Sequence, residues 1–366
     1  MAYTFQNKEY HISRYPKTEM KSLQAWNASD ELMLEYLEDQ KILPASMSIY
    51  HDRFGFLSTL LAEYQPKSVI LFQSQRKAIN QNLKQNGINE DLLDFTFPLE
   101  KVEEACDITL IKVPKSADLF ELYLQHLSTQ LHDKSVVIAG FMTKYFSRQV
   151  LEIAQKYFDE VSQSQAKKKA RLLILKKPKK AVKRNIIKEI KLNDEVSFQQ
   201  YFGVFSAKNI DYATQFLMEH LTVLPTDLKV LDLGTGNGVL AWKARQLNAN
   251  TELNLHDDNY LAIESAKLNL PEDGNIFHFS DDLSTITSNS YDLVISNPPF
   301  HFEYETNIEV SLKLFKQVWE ILKPQGSFQL VSNRHLNYQT HLSKIFKHID
   351  VVAENDKYIV YSCQKS

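Results

Sequence analysis

The stretch YDLVISNPPFH, residues 291–301, carries the reading on which the fold turns. Leu293, Val294 and Ile295 form an apolar, β-branched run bounded by Asp292 and two prolines, the pattern of a buried parallel strand that stops at Asn297. Proline after Asn297 drives that residue into extended backbone, and Pro298 and Pro299 bring carbonyls without N–H donors. The strand's carboxyl end is therefore an acceptor-rich rim: the Asn297 side-chain oxygen and the Pro298 carbonyl, with Phe300 beside them as a flat apolar face. Such a rim suits a planar group carrying an exocyclic NH2, whose two hydrogens meet two acceptors while its ring stacks on the aromatic. Conjugation makes that amine a poor nucleophile; holding both hydrogens out of plane returns the lone pair to nitrogen. A strand followed by an ordinary Pro-Pro turn has the same letters, so the rest of the chain decides.

Working outward, the strand has a counterpart. CDITLIKVPK (106–115) laid over YDLVISNPPF aligns Asp107 with Asp292 and Pro114 with Pro299. SVVIAGF (135–141) then falls over FQLVSNR (328–334), and KARLLIL (169–175) over DKYIVYS (356–362). Between these strands lie helical stretches, at 75–87, 119–131 and 148–158 in the first half and 311–322 in the second, and Ser29 with Asp30 and Glu31 reads as a helix cap near the amino terminus. VILF (69–72) reads as a further strand and RLLIL (171–175) as the last of its half. Strands alternating with helices predict an α/β fold, a mainly parallel sheet with helices on both faces, present twice. The length suits two domains, 1–185 and 186–366.

The halves differ where chemistry would lie. KVL (229–231) runs into Asp232-Leu-Gly234-Thr-Gly236-Asn-Gly238 and then a helical stretch. Glycines in a strand-to-helix turn let backbone approach a ligand and offer it the helix amino terminus. A dinucleotide fingerprint needs its third glycine at 239, which is Val239; the DxGxGxG spacing instead resembles the S-adenosylmethionine loop of class I methyltransferases. The next strand ends at Asp257, placed to accept from ribose hydroxyls, and a third at Asp281 and Asp282, placed to accept from an adenine amine. Phe205 and Ser206, just upstream, are positioned to cover the cofactor's open side. Against the glycine turn the first half sets ILFQSQRK (70–77), without glycine, and against Asn297 it sets Lys112.

Charge is also unevenly placed. The net charge is -3, yet residues 167–188 hold 11 Lys or Arg and no acid. A run of that density beside a site for flat bases predicts phosphate contact through Lys176, Lys177, Lys179 and Lys180. Two scattered cysteines, Cys106 and Cys363, give neither a disulfide framework nor a zinc site, so no metal is expected and reducing, cytoplasmic conditions fit. The amino terminus has no apolar signal core and no run is long enough to span a bilayer, so no membrane partner is expected.

At this point the chain resembles the bacterial ribosomal RNA guanine-N2 methyltransferases with a duplicated domain. The resemblance rests on GVFS (203–206) with Asp211, DLGTGNGV, SNPPFH, and VSNRHLNYQTHL (331–342) followed by ENDKYIV (354–360). SLQAWNASDELML (22–34) and NRHLNY (333–338) are most similar to the large-subunit branch, with the small-subunit branch as the alternative. It implies two tandem class I methyltransferase-like (Rossmann-like) domains, the first degenerate and serving RNA recognition, and the second using S-adenosyl-L-methionine. It implies a cofactor loop of Asp232, Gly234, Gly236 and Gly238, a ribose acid at Asp257, and a catalytic motif of Asn297, Pro298, Pro299 and Phe300. Thr235 departs from the cysteine of many relatives and is equally small. The expected reaction turns a guanine out of its RNA stack and transfers methyl to its 2-amino group. Arg334 and His335 are candidates for the RNA entrance, and His301 reads as structural. Rival readings are a protein glutamine methyltransferase, which the basic run disfavours; an amino-directed DNA methyltransferase, which needs an added reading domain; and a non-catalytic assembly factor, which an intact Asn297 disfavours.

Overall fold

The computed structural model describes residues 1–18, 23–42, 46–100, 105–180, 185–205, 209–298, 301–302, 305–306 and 309–366. The chain divides into two units, Met1–Ile186 and Ile187–Ser366.

The first unit opens with a hairpin, β1 (Ala2–Phe5) and β2 (Lys8–His11), followed by α1 (Ala28–Asp39) and β3 (Met47–Tyr50). Then come α2 (Phe56–Leu60), β4 (Lys67–Val69), α3 (Gln73–Gln85), β5 (Asp94–Thr96), β6 (Ile108–Lys112), α4 (Ala117–Gln130) and β7 (Val136–Met142). It closes with α5 (Arg148–Tyr157), β8 (Phe158–Gln163) and β9 (Ala170–Pro178). The sheet runs β5-β4-β3-β6-β7-β9-β8, parallel through β7 and antiparallel thereafter.

The second unit repeats this plan. A hairpin, β10 (Ile187–Lys191) and β11 (Ser197–Tyr201), leads to α6 (Tyr212–His220), β12 (Lys229–Leu233), α7 (Val239–Leu247), β13 (Glu252–Asp257), α8 (Tyr260–Asn269), β14 (Asn275–Phe279) and β15 (Tyr291–Ser296). After the short pair β16 (His301–Phe302) and β17 (Glu305–Thr306) come α9 (Glu309–Ile321), β18 (Leu322–Asn333), α10 (Tyr338–Leu342), β19 (His348–Glu354) and β20 (Tyr358–Gln364). The sheet order is β14-β13-β12-β15-β18-β20-β19.

The central strands are apolar because both their faces are covered. Val230, Leu293 and Ile295 pack into one core with residues of α6, α7 and α8; Leu231, Leu233 and Val294 pack into the other with α9 and α10. Successive strands spread outward in opposite directions from the β12/β15 pair, so the topological switch point lies between them. In open α/β sheets that point, at the carboxyl ends, is where ligands bind. The glycine turn follows β12 and Asn297 follows β15, so both flank it.

Several expectations change. The partner of β6 at the first switch point is β3, so the counterpart of the glycine turn is 51–55 and not 70–77. Counting alike from the paired positions Met47 and Val230, Gly55 falls on Gly238, Arg53 on Gly236 and His51 on Gly234. One glycine therefore survives in that turn. The strand predicted at 69–72 ends at Val69, and Phe72 is already the N-cap of α3. Asn27, not Ser29, caps α1: its Oδ1 accepts from the Ser29 amide at 2.9 Å while Asp30 accepts from the Asn27 amide at 2.8 Å. RLLIL lies in β9, the last strand of its unit in chain order as predicted, and an inner one because β8 pairs along its outer side.

Candidate active site

All three glycines of the turn adopt left-handed backbone, with φ of 74° at Gly234, 56° at Gly236 and 84° at Gly238, a region that penalises any Cβ. The turn is pinned to the neighbouring strand: Gly234 and Thr235 amides donate to the His256 carbonyl at 2.8 and 3.0 Å, and the Gly236 amide donates to Asp257 Oδ2 at 3.0 Å. A Cβ built on Gly236 meets nothing within 4 Å, so the turn borders open space there.

Asp232 lies beneath the turn, almost wholly buried. Its Oδ2 accepts from Thr235 Oγ1 at 2.7 Å and from the Ala241 amide at 3.0 Å, while its buried Oδ1 has no hydrogen-bond partner. Burial pushes the carboxyl up to about 7, against the opposing pull of those two donors. Asp257 accepts from the Asn259 amide at 2.8 Å as well as from Gly236, and burial raises it to about 6. The intervening His256 is held neutral, lowered by burial to about 4, with Nε2 3.1 Å from the Asp282 carbonyl; that acceptor fixes the proton on Nε2. These features fit S-adenosylmethionine: the orphaned Asp232 oxygen would be satisfied by its ammonium group, and the space at Gly236 admits a ligand against the backbone.

The third acid pair separates. Asp282 Oδ1 is taken up by the Ser284 amide and hydroxyl, at 3.1 and 2.5 Å, and shapes its own turn. Asp281 precedes it at the end of β14, so Asp281, Asp257, the glycine turn and Asn297 follow four adjacent strands along one sheet edge. Phe205 is 70% exposed. Ser206, Pro299 and Phe300 lie outside the described residues. Gln200 was not anticipated: fully buried on β11, it donates through Nε2 to the Val204 and Phe205 carbonyls, both at 3.0 Å, and accepts from Asn237 Nδ2 at 3.1 Å. It ties the segment before Ser206 to the glycine turn, and nothing in the alternation of SFQQY marks it out.

Asn297 is the decisive side chain. Its Nδ2 donates to Asp211 Oδ2 at 3.0 Å and to Thr214 Oγ1 at 2.9 Å. An ionised carboxylate only accepts, so the amide's NH2 end must face Asp211 and its Oδ1 is left as an acceptor. Asp211 is itself fixed as the N-cap of α6, accepting from the Ala213 and Thr214 amides. Neighbouring Ser296 donates to the Leu233 carbonyl at 2.7 Å, clasping β15 to the strand that leads into the glycines. Pro298 is buried. The sequence gave Asp211 only as part of the family resemblance, with no sign of its link to Asn297.

The basic run is not the free positive strip that its composition suggests. Much of it is the inner strand β9, and its lysines meet acids of the same unit: Lys167 with Glu35 at 2.6 Å, Lys168 with Glu31 at 2.8 Å, Lys177 with Glu160, Lys179 with Asp159 at 3.5 Å and Lys180 with Asp133 at 3.7 Å. Most of these groups are well exposed, so each pair contributes little and exchanges readily with other anions. Arg334 bonds Glu354 Oε2 at 2.8 Å at the end of β18. Among the described residues, no cluster of three or more His, Cys, Asp or Glu could hold a metal, and no helix is long and apolar enough to cross a membrane.

The RLMG N-terminal domain family matches residues 1–180, and the methyltransferase small domain family residues 195–362. Ribosomal RNA large subunit methyltransferase G of Streptomyces griseus is 30% identical, over 99% of each chain. The chain belongs to the ribosomal RNA large subunit methyltransferase G family. It is an S-adenosylmethionine-dependent rRNA methyltransferase. The Yersinia enterocolitica member is likewise 30% identical, over 98% of this chain and 93% of its own. A solved 16S rRNA N2 methyltransferase from T. thermophilus, in complex with AdoMet and guanosine, matches with a TM-score of 0.76 at 20% identity, over 100% of this chain and 98% of that one. That likeness shows the fold: two tandem Rossmann-like domains, as predicted.

Proposed function

We propose that this member of the family methylates the exocyclic N2 of one guanine in large-subunit (23S) rRNA. The observation that carries the reading is the orientation of Asn297, whose NH2 end is committed to Asp211 and Thr214 and whose Oδ1 is left to accept. An amine donor is what such an atom recognises.

In this reading Gly234, Gly236 and Gly238 lend backbone to the methionyl part, Asp232 takes its ammonium, Asp257 the ribose hydroxyls and Asp281 the adenine amine. Asp282 holds the turn that carries Asp281, and Phe205 and Ser206 cover the open side. When bound, the cofactor supplies a sulfonium methyl whose leaving group is neutral. Asn297 Oδ1 and the Pro298 carbonyl accept the two hydrogens of the guanine 2-amino group and free its lone pair, while Pro299 shapes the turn and Phe300 stacks on the ring. Little charge has to be stabilised, so positioning supplies most of the acceleration. The first domain, its lysines Lys176, Lys177, Lys179 and Lys180, and Arg334 with His335 guide the RNA. The reaction is cytoplasmic, with no metal and no membrane taking part; both cysteines are buried free thiols, which suits a reducing compartment.

The test is transfer of labelled methyl from S-adenosylmethionine to ribosomal RNA from cells lacking the enzyme, followed by nucleoside analysis and mapping. N2-methylguanosine at one position of the large-subunit RNA is expected. Label confined to small-subunit RNA, to another nucleoside or to protein would overturn the reading.

A further inference from the structure

The carboxyl edge of the second sheet does not end at Asn297. One strand further on, β18 finishes at Asn333, and antiparallel β20 begins beside it with Tyr358, in register with Asn333. Helix α6 lies over these strands, its Phe216 ring 6.3 Å from that of Tyr358. The first helical residue is Tyr212, one backbone step, about 3.8 Å, from the aspartate that holds Asn297. Tyr212 is 69% exposed, whereas neighbouring Ala213, Thr214 and Leu217 are buried. Burial, and then the Asp211 carboxylate and Tyr212, raise the Tyr358 phenol, so the three groups lie within electrostatic reach of one another.

We propose that Tyr212 is a positioning residue that stacks on the nucleobase adjacent to the target guanine in the RNA strand. The proposal rests on the reading of Asn297 given under Proposed function. A guanine turned out of its stack leaves the neighbouring base with one face bare, and the loss of stacking opposes flipping. An aromatic beside the asparagine that receives the guanine restores the lost face; such base–aromatic contacts tolerate any base and are lost on truncation to alanine. Cofactor-side residues occupy the strands on the other flank of Asn297, so the strand of RNA leaves toward β18 and β20, where Tyr212 stands. A docked peptide has no comparable need for a lone flat ring next to an amide acceptor.

The experiment is steady-state kinetics of the full-length enzyme on an RNA fragment that carries the mapped guanine. For Tyr212→Ala the KM for RNA is expected to rise about tenfold, with kcat within about twofold and cofactor affinity unaltered. Tyr212→Leu, which keeps bulk without a π face, should behave like alanine, and Tyr212→Phe should restore the KM. An abasic nucleotide 5′ or 3′ of the guanine, tested separately, should cost the unaltered enzyme a similar factor at one of the two positions and cost Tyr212→Ala nothing further there. A KM for Tyr212→Ala within twofold of the parent, or abasic penalties that persist in full in that variant, would overturn the stacking proposal. Failure of the parent to methylate guanine in RNA would instead overturn the reading of Asn297, and this proposal with it.

Discussion

The two sheets end their central strands in different chemistry. After β15 stands Asn297, an amide with an oxygen to spare; at the matching position Lys112 ends β6, and its Nζ meets Asp30 Oδ2 at 2.8 Å. An ammonium has donors only, so this side chain cannot accept from an amine as Asn297 can. The glycine turn differs likewise. His51 keeps the left-handed backbone of Gly234, with φ of 60°. Arg53 takes the place of Gly236, and its buried guanidinium donates to Ser74 Oγ at 2.7 Å and lies 4.5 Å over the Phe72 ring. Ile70, the next residue past the paired Val69, takes the place of Asp257. One scaffold carries an edge open to ligand; in its copy the Lys112 ammonium is paired with Asp30 and the Arg53 guanidinium is turned to Ser74. A doubled fold therefore says little about how many sites a chain has.

Matched substitutions sharpen that contrast. Asn297→Ala removes the steering acceptor, and turnover should fall about a thousandfold, roughly 4 kcal/mol, with cofactor affinity nearly intact; single-turnover methyl transfer measures it. The counterpart Lys112→Met should leave turnover per folded molecule alone and lower stability by about 3 kcal/mol, because Asp30 stays buried without its counter-ion; denaturant unfolding decides. The retained glycines should also part company. A Cβ on Gly55 would sit 2.8 Å from the Ile79 Cα, whereas on Gly238 its nearest neighbour is the movable Leu270 Cδ1 at 3.2 Å. Gly55→Ala should cost about 2 kcal/mol of stability and Gly238→Ala about half that.

Cofactor affinity should depend on pH. The Asp232 and Asp257 carboxyls, raised to about 7 and about 6, favour their protonated forms in the free protein, whereas a cofactor ammonium and ribose hydroxyls favour the ionised ones. Affinity should therefore weaken as pH falls through this window, by about tenfold between pH 8 and pH 6 for Asp232 alone, with proton release on binding that calorimetry in two buffers detects. An affinity constant across that range would contradict the assignment. Because both carboxyls stand above their ordinary value near 3.8, the free protein is also expected to lose stability as pH rises from about 4 to about 7. The smallest effect is expected in the first unit. Neutralising Lys176, Lys177, Lys179 and Lys180 should weaken RNA binding only a few-fold and lower its salt slope by less than four charges' worth, since three of the four already face acids.

Much of this was legible in the sequence, and what was not has physical causes. Apolar runs such as Leu293–Val294–Ile295 announce strands buried on both faces, and the glycine spacing announces its turn. Strand β3 hid because Ser48 interrupts its pattern; that hydroxyl is buried against Thr109 Oγ1 at 2.9 Å, a satisfied polar pair that a hydropathy pattern cannot reveal. Missing β3 shifted the comparison of the two turns by one strand. Strands β8 and β19 hid because they are largely exposed edge strands: β8 is mostly polar, and the apolar residues of β19 are broken up by Asp350 and flanked by His348 and Glu354. The clasp between Asp211 and Asn297 joins residues far apart in the chain, and the ion pairs of the basic run depend on acids brought in from elsewhere in the fold.

Only the second sheet edge is expected to receive the cofactor. Isothermal titration of the full chain with S-adenosylmethionine tests it most directly, alongside Gly236→Leu, whose side chain would enter the open space at the turn. One cofactor per chain is expected, and none bound by the variant, checked as folded by its unfolding transition; two cofactors per chain, or a folded Gly236→Leu chain that binds as before, would contradict a single site at the second edge.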